Sequence, residues 1–145
     1  MNSLDKKDDY DNPNVKQAWL DEQKENVKRY LSDESISFNE APEIEWFLVP
    51  YISVWHIQTD LWIISGDLPT DYIQDSNIAK ASEAVKHFAN RWLEISNYLL
   101  KGKQHPDFPI GKSQDPEQLK EMGLLLRNRA KLFLKWIDEV NIWNY

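Results

Sequence analysis

The chain has 145 residues, the usual size of a single domain, and it contains no cysteine. The lack of cysteine excludes a disulfide framework, a thiolate metal site and a cysteine nucleophile. Seventeen basic and 24 acidic residues give a net charge of −7, which disfavours binding to nucleic acid or to an anionic membrane. No apolar run approaches the ~20 residues that a membrane-spanning helix needs. The composition therefore predicts a cytoplasmic protein that binds neither nucleic acid nor membrane.

The N-terminal residues are polar and mixed in charge, and they predict a flexible tail over residues 1–11. Residues 12–145 are predicted to form a single domain. Asn12 and Pro13 are typical of a helix start, because an asparagine side chain can cap the first turn and proline needs no amide partner there. The apolar residues that follow recur at helical spacing as far as Ser32, with Gln23 interrupting them.

A change of periodicity after Pro42 indicates β-strands. Residues 52–57 and 61–64 are rich in β-branched and aromatic side chains, and the short polar link between them predicts a β-hairpin. Their nearly continuous apolarity indicates strands that are buried on both faces. Two strands do not form a stable sheet in water. A third strand is therefore expected from residues 35–38 or 43–49, unless helices cover the hairpin closely.

Two long amphipathic helices are predicted in the second half of the chain. Apolar residues at steps of three and four run up to Leu99, after a cap at Asp75 or Ser76. Gly102 is available to terminate this helix.

Asp115 and Pro116 begin the last helix, as a cap and a first helical residue. Its predicted apolar face consists of Leu119, Met122, Leu126, Ala130, Phe133, Ile137 and Val140. The terminal Trp143 and Tyr145 are expected to dock on the body of the protein. The order of elements predicts an α+β fold: an N-terminal helix, a β-hairpin or short antiparallel meander, and then two long helices packed on the sheet.

The segment from Gly66 to Asp71 is predicted to be a loop between a strand and a helix, where side chains and free amides can face a ligand. Asp67 and Asp71 could act as an acid–base pair or bind a hard cation, with Thr70 between them. The same residue types are equally typical of a simple turn.

Aromatic residues of the hairpin form a second candidate site. Trp55 and Trp62, together with His56, could line a pocket for a flat or cationic ligand. Successive residues of a strand point to opposite faces, so Trp55 and His56 would share a pocket only if the strand contained a bulge.

Two polar stripes lie on the predicted helices. The first consists of Glu83, His87, Asn90 and Glu94, and the second, which is basic, of Lys120, Arg127, Lys131 and Lys135. Each lies away from the apolar face of its helix, which is typical of a solvated surface. No metal site and no cofactor is predicted.

The segments SGDLPTDYI (residues 65–73) and HFANRW (residues 87–92) resemble a family of short bacterial proteins of unknown function. The resemblance implies no reaction. It adds the expectation that Arg91 belongs with the Gly66–Asp71 segment.

Two functions follow from these observations. The first is a small, acidic, non-enzymatic protein-binding domain, such as an immunity-type inhibitor or a homodimer. The alternative is a small-molecule binder or enzyme that uses the Gly66–Asp71 segment. The first is preferred, because each candidate catalytic group also has a structural explanation.

Overall fold

The computed structural model describes residues 10–58 and 60–143. The elements, in chain order, are α1 (Pro13–Asp33), β1 (Glu43–Leu48), β2 (Ile52–Ile57), β3 (Leu61–Gly66), β4 (Leu68–Gln74), α2 (Ala81–Leu99), α3 (Pro116–Ile137) and α4 (Val140–Trp143). The predicted α+β class is confirmed, with its N-terminal helix, antiparallel sheet and two long helices. Positions 1–9 of the predicted tail lie outside the described residues. None of the helices in the described part of the chain is long and apolar enough to cross a membrane.

The sheet has four strands in the order β1-β2-β3-β4. The predicted hairpin is confirmed, since β2 pairs antiparallel with β3 and places Trp55 opposite Ile63 and His56 opposite Trp62. Of the two candidates for a third strand, the segment after Pro42 forms it, as β1. β4 is a fourth strand that the sequence reading did not predict.

The chain divides into two compact units, and the boundary falls between Tyr72 and Ile73. In the first unit, α1 starts where predicted, because the Asn12 side chain accepts a hydrogen bond from the Asn14 amide at 2.8 Å. Val27 and Leu31 of this helix form a buried cluster with residues of β2 and β3, namely Trp55, Ile57, Leu61 and Ile63.

In the second unit, α2 and α3 pack against each other around aromatic rings. The centroid of Trp92 lies 6.1 Å from that of Phe88 and 5.9 Å from that of Phe133. α3 begins as predicted, with the Asp115 carboxylate accepting from the Gln118 amide at 3.1 Å. These contacts join the apolar faces of the two helices into one core.

The start of α2 differs from the prediction. The helix begins at Ala81, and no side chain caps it. The Asp75 carboxylate instead accepts from the Asn77 amide at 2.9 Å, in a turn that precedes the helix. The predicted terminator is confirmed: Gly102 has φ of +78°, and its amide donates to the Leu99 carbonyl at 2.8 Å.

The C-terminal end of the described chain docks on α3. The Trp143 indole donates to the Trp136 carbonyl at 2.9 Å, and the Trp143 side chain is half-buried. The prediction of docking is confirmed for Trp143, while Tyr145 lies outside the described residues.

Candidate functional site

The Gly66–Asp71 segment is not a loop between a strand and a helix. β3 runs to Gly66 and β4 starts at Leu68, so only Asp67 separates two strands. The prediction is wrong because Pro69, which is typical of a loop, lies in β4, and an edge strand such as β4 tolerates proline.

Both aspartates of this segment take part in hydrogen bonds with the backbone of neighbouring residues. The Asp67 amide donates to the Tyr51 carbonyl at 2.9 Å. Asp71 is buried, and its carboxylate accepts from the Tyr72 amide at 2.8 Å. Thr70 is half-buried in β4. Of the predicted acid–base pair, Asp71 therefore lies in a strand and Asp67 at the junction of two strands.

Gly66 has a structural role in the same place. Its φ is +150°, and a Cβ atom on this residue would lie 2.4 Å from the Tyr51 carbonyl oxygen. A contact that short is impossible, so glycine is required for the close approach of the two strands.

The sheet separates the two tryptophans of the predicted aromatic pocket. Trp55 belongs to the cluster on the α1 side and donates to the Ser53 hydroxyl at 2.7 Å. Trp62 pairs with His56 on the opposite face, where the two rings stack with centroids 4.2 Å apart. Since Trp55 is 3% and Trp62 1% exposed, neither lines an open pocket.

Arg91, the last predicted site residue, lies on α2 in the second unit. Its guanidinium carbon lies 4.4 Å from the centroid of the Phe108 ring, in cation–π geometry. Phe108 belongs to the segment between α2 and α3, residues 100–115, which we call the connector. Phe108 is 38% exposed.

Two side chains of the connector fix its conformation. The His105 Nδ1 atom accepts from the amides of Asp107 and Phe108 at 3.0 and 3.1 Å. The Gln104 amide group bonds the Ile110 backbone through both its oxygen and its nitrogen, and it also donates to the Ser113 carbonyl. The connector is thus a loop held by side chains, and its shape is defined although it contains no regular secondary structure.

An open groove of about 390 Å³ lies between the connector and α3. Its apolar lining includes Ile110, Leu119, Met122 and Leu125, and Lys112 and Glu121 are among its polar residues. This volume is within the range of ligand sites, and the mixture of apolar walls with a few polar groups is typical of them.

The groove continues into a row of apolar side chains along α3. Leu125 and Leu132 are seven residues apart, so they point within about 20° of each other. We call this row, which is exposed or half-buried, the outer stripe: Met122, Leu125, Leu132 and Trp136. It is separate from the buried face of the helix, which consists of Leu119, Gly123, Leu126, Ala130 and Phe133.

The outer stripe was not predicted from the sequence. The predicted apolar face included Met122, whereas Gly123 lies on the buried face, and it did not include Leu125 or Leu132. The signal was present, since these leucines fit no position of the core pattern yet lie one heptad apart.

The predicted polar stripe of α2 forms a second, polar groove of about 310 Å³, lined by Glu83, Lys86, His87 and Asn90. Glu94, at the end of this stripe, faces His105 at 3.3 Å. Among the described residues, no group of three or more histidines and carboxylates could hold a metal ion.

A family model described as a domain of unknown function (DUF4826) matches residues 13–143. No curated protein and no solved structure matches the chain. The predicted resemblance to a family of unknown function is confirmed.

Proposed function

The chain belongs to the DUF4826 family of domains of unknown function, and we propose that it acts as a non-enzymatic protein-binding domain through the outer stripe of α3. The observation that supports this proposal is a second apolar row on a helix whose first apolar row is already buried in the core. The bacterial origin of the protein and its location in the cytoplasm stay predictions.

Apolar residues that recur along one side of a helix are the usual anchors for a partner helix or peptide. Leu132 is 37% exposed, and Met122 and Leu125 are half-buried beside the groove. A single exposed leucine on a protein surface needs no explanation, whereas an aligned row next to a concave surface indicates an interaction site.

The alternative, a small-molecule site at Gly66–Asp71, has lost its structural premise. It depended on a loop that joins a strand to a helix, and the segment is instead the junction of β3 and β4. An inhibitor of the immunity type remains compatible with the proposed binding function, because such a protein acts by contact alone.

The proposal is tested by site-specific photo-cross-linking in the cells that produce the protein. A photoreactive amino acid replaces Asn128, which is exposed beside the outer stripe, or Asn97, which is exposed on α2 and serves as the control position. We expect a cross-linked protein adduct from position 128 and none from position 97.

Two leucine variants show whether the adduct depends on the outer stripe. Leu132 and Leu124 are both exposed residues of α3, at 37% and 46%, but only Leu132 belongs to the stripe. Leu132→Glu should abolish the adduct and Leu124→Glu should retain it. An adduct of equal yield at positions 128 and 97, or one that Leu132→Glu leaves intact, would show the proposal to be wrong.

A further inference from the structure

The outer stripe has the register of a coiled-coil seam. If Met122 is position a of a heptad, the two leucines Leu125 and Leu132 occupy d, and the remaining a positions are Arg129 and Trp136. Helices associate along such a/d rows because each side chain fits between residues of the facing helix. One polar residue at an a position, here Arg129, is a known means of fixing the register of a pair.

The exposed flank of the stripe carries opposite charges at its two ends. The g positions of the same heptads are Glu121, Asn128 and Lys135, and all three are exposed. In an antiparallel pair of identical helices, g positions face g positions. Glu121 of one copy then lies near Lys135 of the second, twice by symmetry, with Asn128 close to the two-fold axis.

A parallel arrangement offers no such complementarity. There the g positions face the e positions of the other helix. The e positions of this stripe are Leu126 and Phe133, which are buried in the core of the second unit. The flank charges therefore select the antiparallel orientation.

We infer that the occupant of the outer stripe is α3 of a second copy of the chain, packed antiparallel in a two-fold symmetric homodimer. This inference rests on the proposed binding function and names its partner. Met122 packs on Leu132 of the second copy, and Leu125 packs on Arg129 of the second copy. The same helix supplies both the apolar row and the matching charges, so the surface is complementary to itself.

The dimer is expected to be weak. The stripe from Met122 to Trp136 spans about 21 Å along the helix, which corresponds to an interface at the low end of those that hold specific complexes. Sedimentation velocity and light scattering over ~1–500 µM protein therefore cover the transition. We expect the mass to rise from that of the monomer to twice that value.

Charge-reversal variants test whether Glu121 of one copy lies near Lys135 of the second copy. Glu121→Lys and Lys135→Glu should each weaken dimerisation about tenfold or more, because each places two like-charged pairs at the interface. An equimolar mixture of these two variants should restore it, since every pair in the mixed dimer again has opposite charges. Lys86→Glu, an exposed reversal on α2, should leave the dimer unchanged.

The outcomes separate this inference from the proposed function. A mixture that fails to restore the dimer overturns the antiparallel pairing. A wild-type chain that stays monomeric to ~500 µM, in a range that would reveal even weak association, overturns the homodimer. In that second case, a cross-link from position 128 to a different protein would still support the binding function, whereas the absence of any adduct would reject both.

Discussion

His105 forms hydrogen bonds through both ring nitrogens, and those of Nδ1 fix the conformation of the connector. Nδ1 accepts from two backbone amides, so the ring proton is on Nε2, which faces the Glu94 carboxylate at 3.3 Å. Glu94 is largely exposed, and an exposed partner of this kind adds little stability. The two hydrogen bonds donated by backbone amides, in contrast, are made to a histidine that is itself buried.

Substitutions of His105 should distinguish the contribution of its Nδ1 hydrogen bonds from that of its ring contacts. His105→Asn and His105→Ala both lose the ring contacts to Tyr98 and Phe108, but the Asn Oδ1 atom can take the place of Nδ1. We expect the alanine variant to be less stable than the asparagine variant by about 1 kcal/mol, the usual net contribution of a hydrogen bond. Urea unfolding of the two variants gives this difference. Equal stabilities would show that the ring contacts, and not Nδ1, stabilise the connector.

The burial of Gln23 and its hydrogen-bond partner could not be predicted from the local sequence pattern. Gln23 interrupts the apolar row of α1, yet it is buried and accepts from the Ser65 hydroxyl at 2.6 Å. Ser53, also buried, donates to the Ser65 carbonyl at 2.9 Å. The partner of Gln23 is 42 positions away in the sequence, so no local pattern could have identified it.

At the level of elements, the strongly periodic segments were predictable and the exceptions have physical causes. α1, the β2–β3 hairpin and α3 follow from caps and apolar periodicity. β4 was missed because Gly66 before it and Pro69 within it are typical of loops. What makes it a strand is its pairing beside β3 at the edge of the sheet, which the residue types of the segment do not indicate.

The α2–α3 pair depends on a close approach at Gly123. A Cβ atom there would lie 3.0 Å from the Leu100 amide nitrogen and 3.0 Å from the Leu99 Cβ atom. The first is a backbone atom and the second is bonded directly to the backbone, so neither can swing aside as the end of a flexible side chain can. Glycine at this position therefore sets how closely the two helices pack.

Gly123→Ala should destabilise the protein although alanine favours helix. The gain in helix propensity is about 1 kcal/mol, and overpacking at a tight contact costs about 1–3 kcal/mol. We expect a net loss of about 1 kcal/mol in the free energy of unfolding, measured by urea denaturation. Asn128→Ala, at an exposed position of the same helix, is the control and should stabilise slightly. A Gly123→Ala variant as stable as this control would show that the helices can move apart at no cost.

At the scale of the whole molecule, the order of the predicted elements indicated the fold class, but the sequence did not indicate the binding surface. The chain contains seven tryptophans, whose large rings can fill either a core or an interface. The structure places Trp46, Trp55, Trp62 and Trp92 in the core. The candidate surface consists of three aliphatic side chains and Trp136, and its recognition required knowing which face of α3 is buried in the core.

The two compact units raise the question of whether the chain unfolds in one step, as the predicted single domain over residues 12–145 would. Boundaries between independent domains usually fall in exposed linkers. Here the boundary between Tyr72 and Ile73 falls inside β4, which is continuous from Leu68 to Gln74. Because β4 runs without interruption across this boundary, we expect a single cooperative transition.

This expectation can be measured with 5-fluorotryptophan, because each unit contains a buried tryptophan: Trp55 in the first and Trp92 in the second. The native fluorine signals of Trp55 and Trp92 should disappear at the same urea concentration, and the free energy of unfolding obtained from each should depend equally on urea concentration. Protein concentration is held constant, since association at the outer stripe would raise the stability of the second unit by mass action. Loss of the Trp92 signal while the Trp55 signal persisted would show that the two units are separate domains. In that case β4 would have to release Ile73 and Gln74 without losing its pairing up to Tyr72.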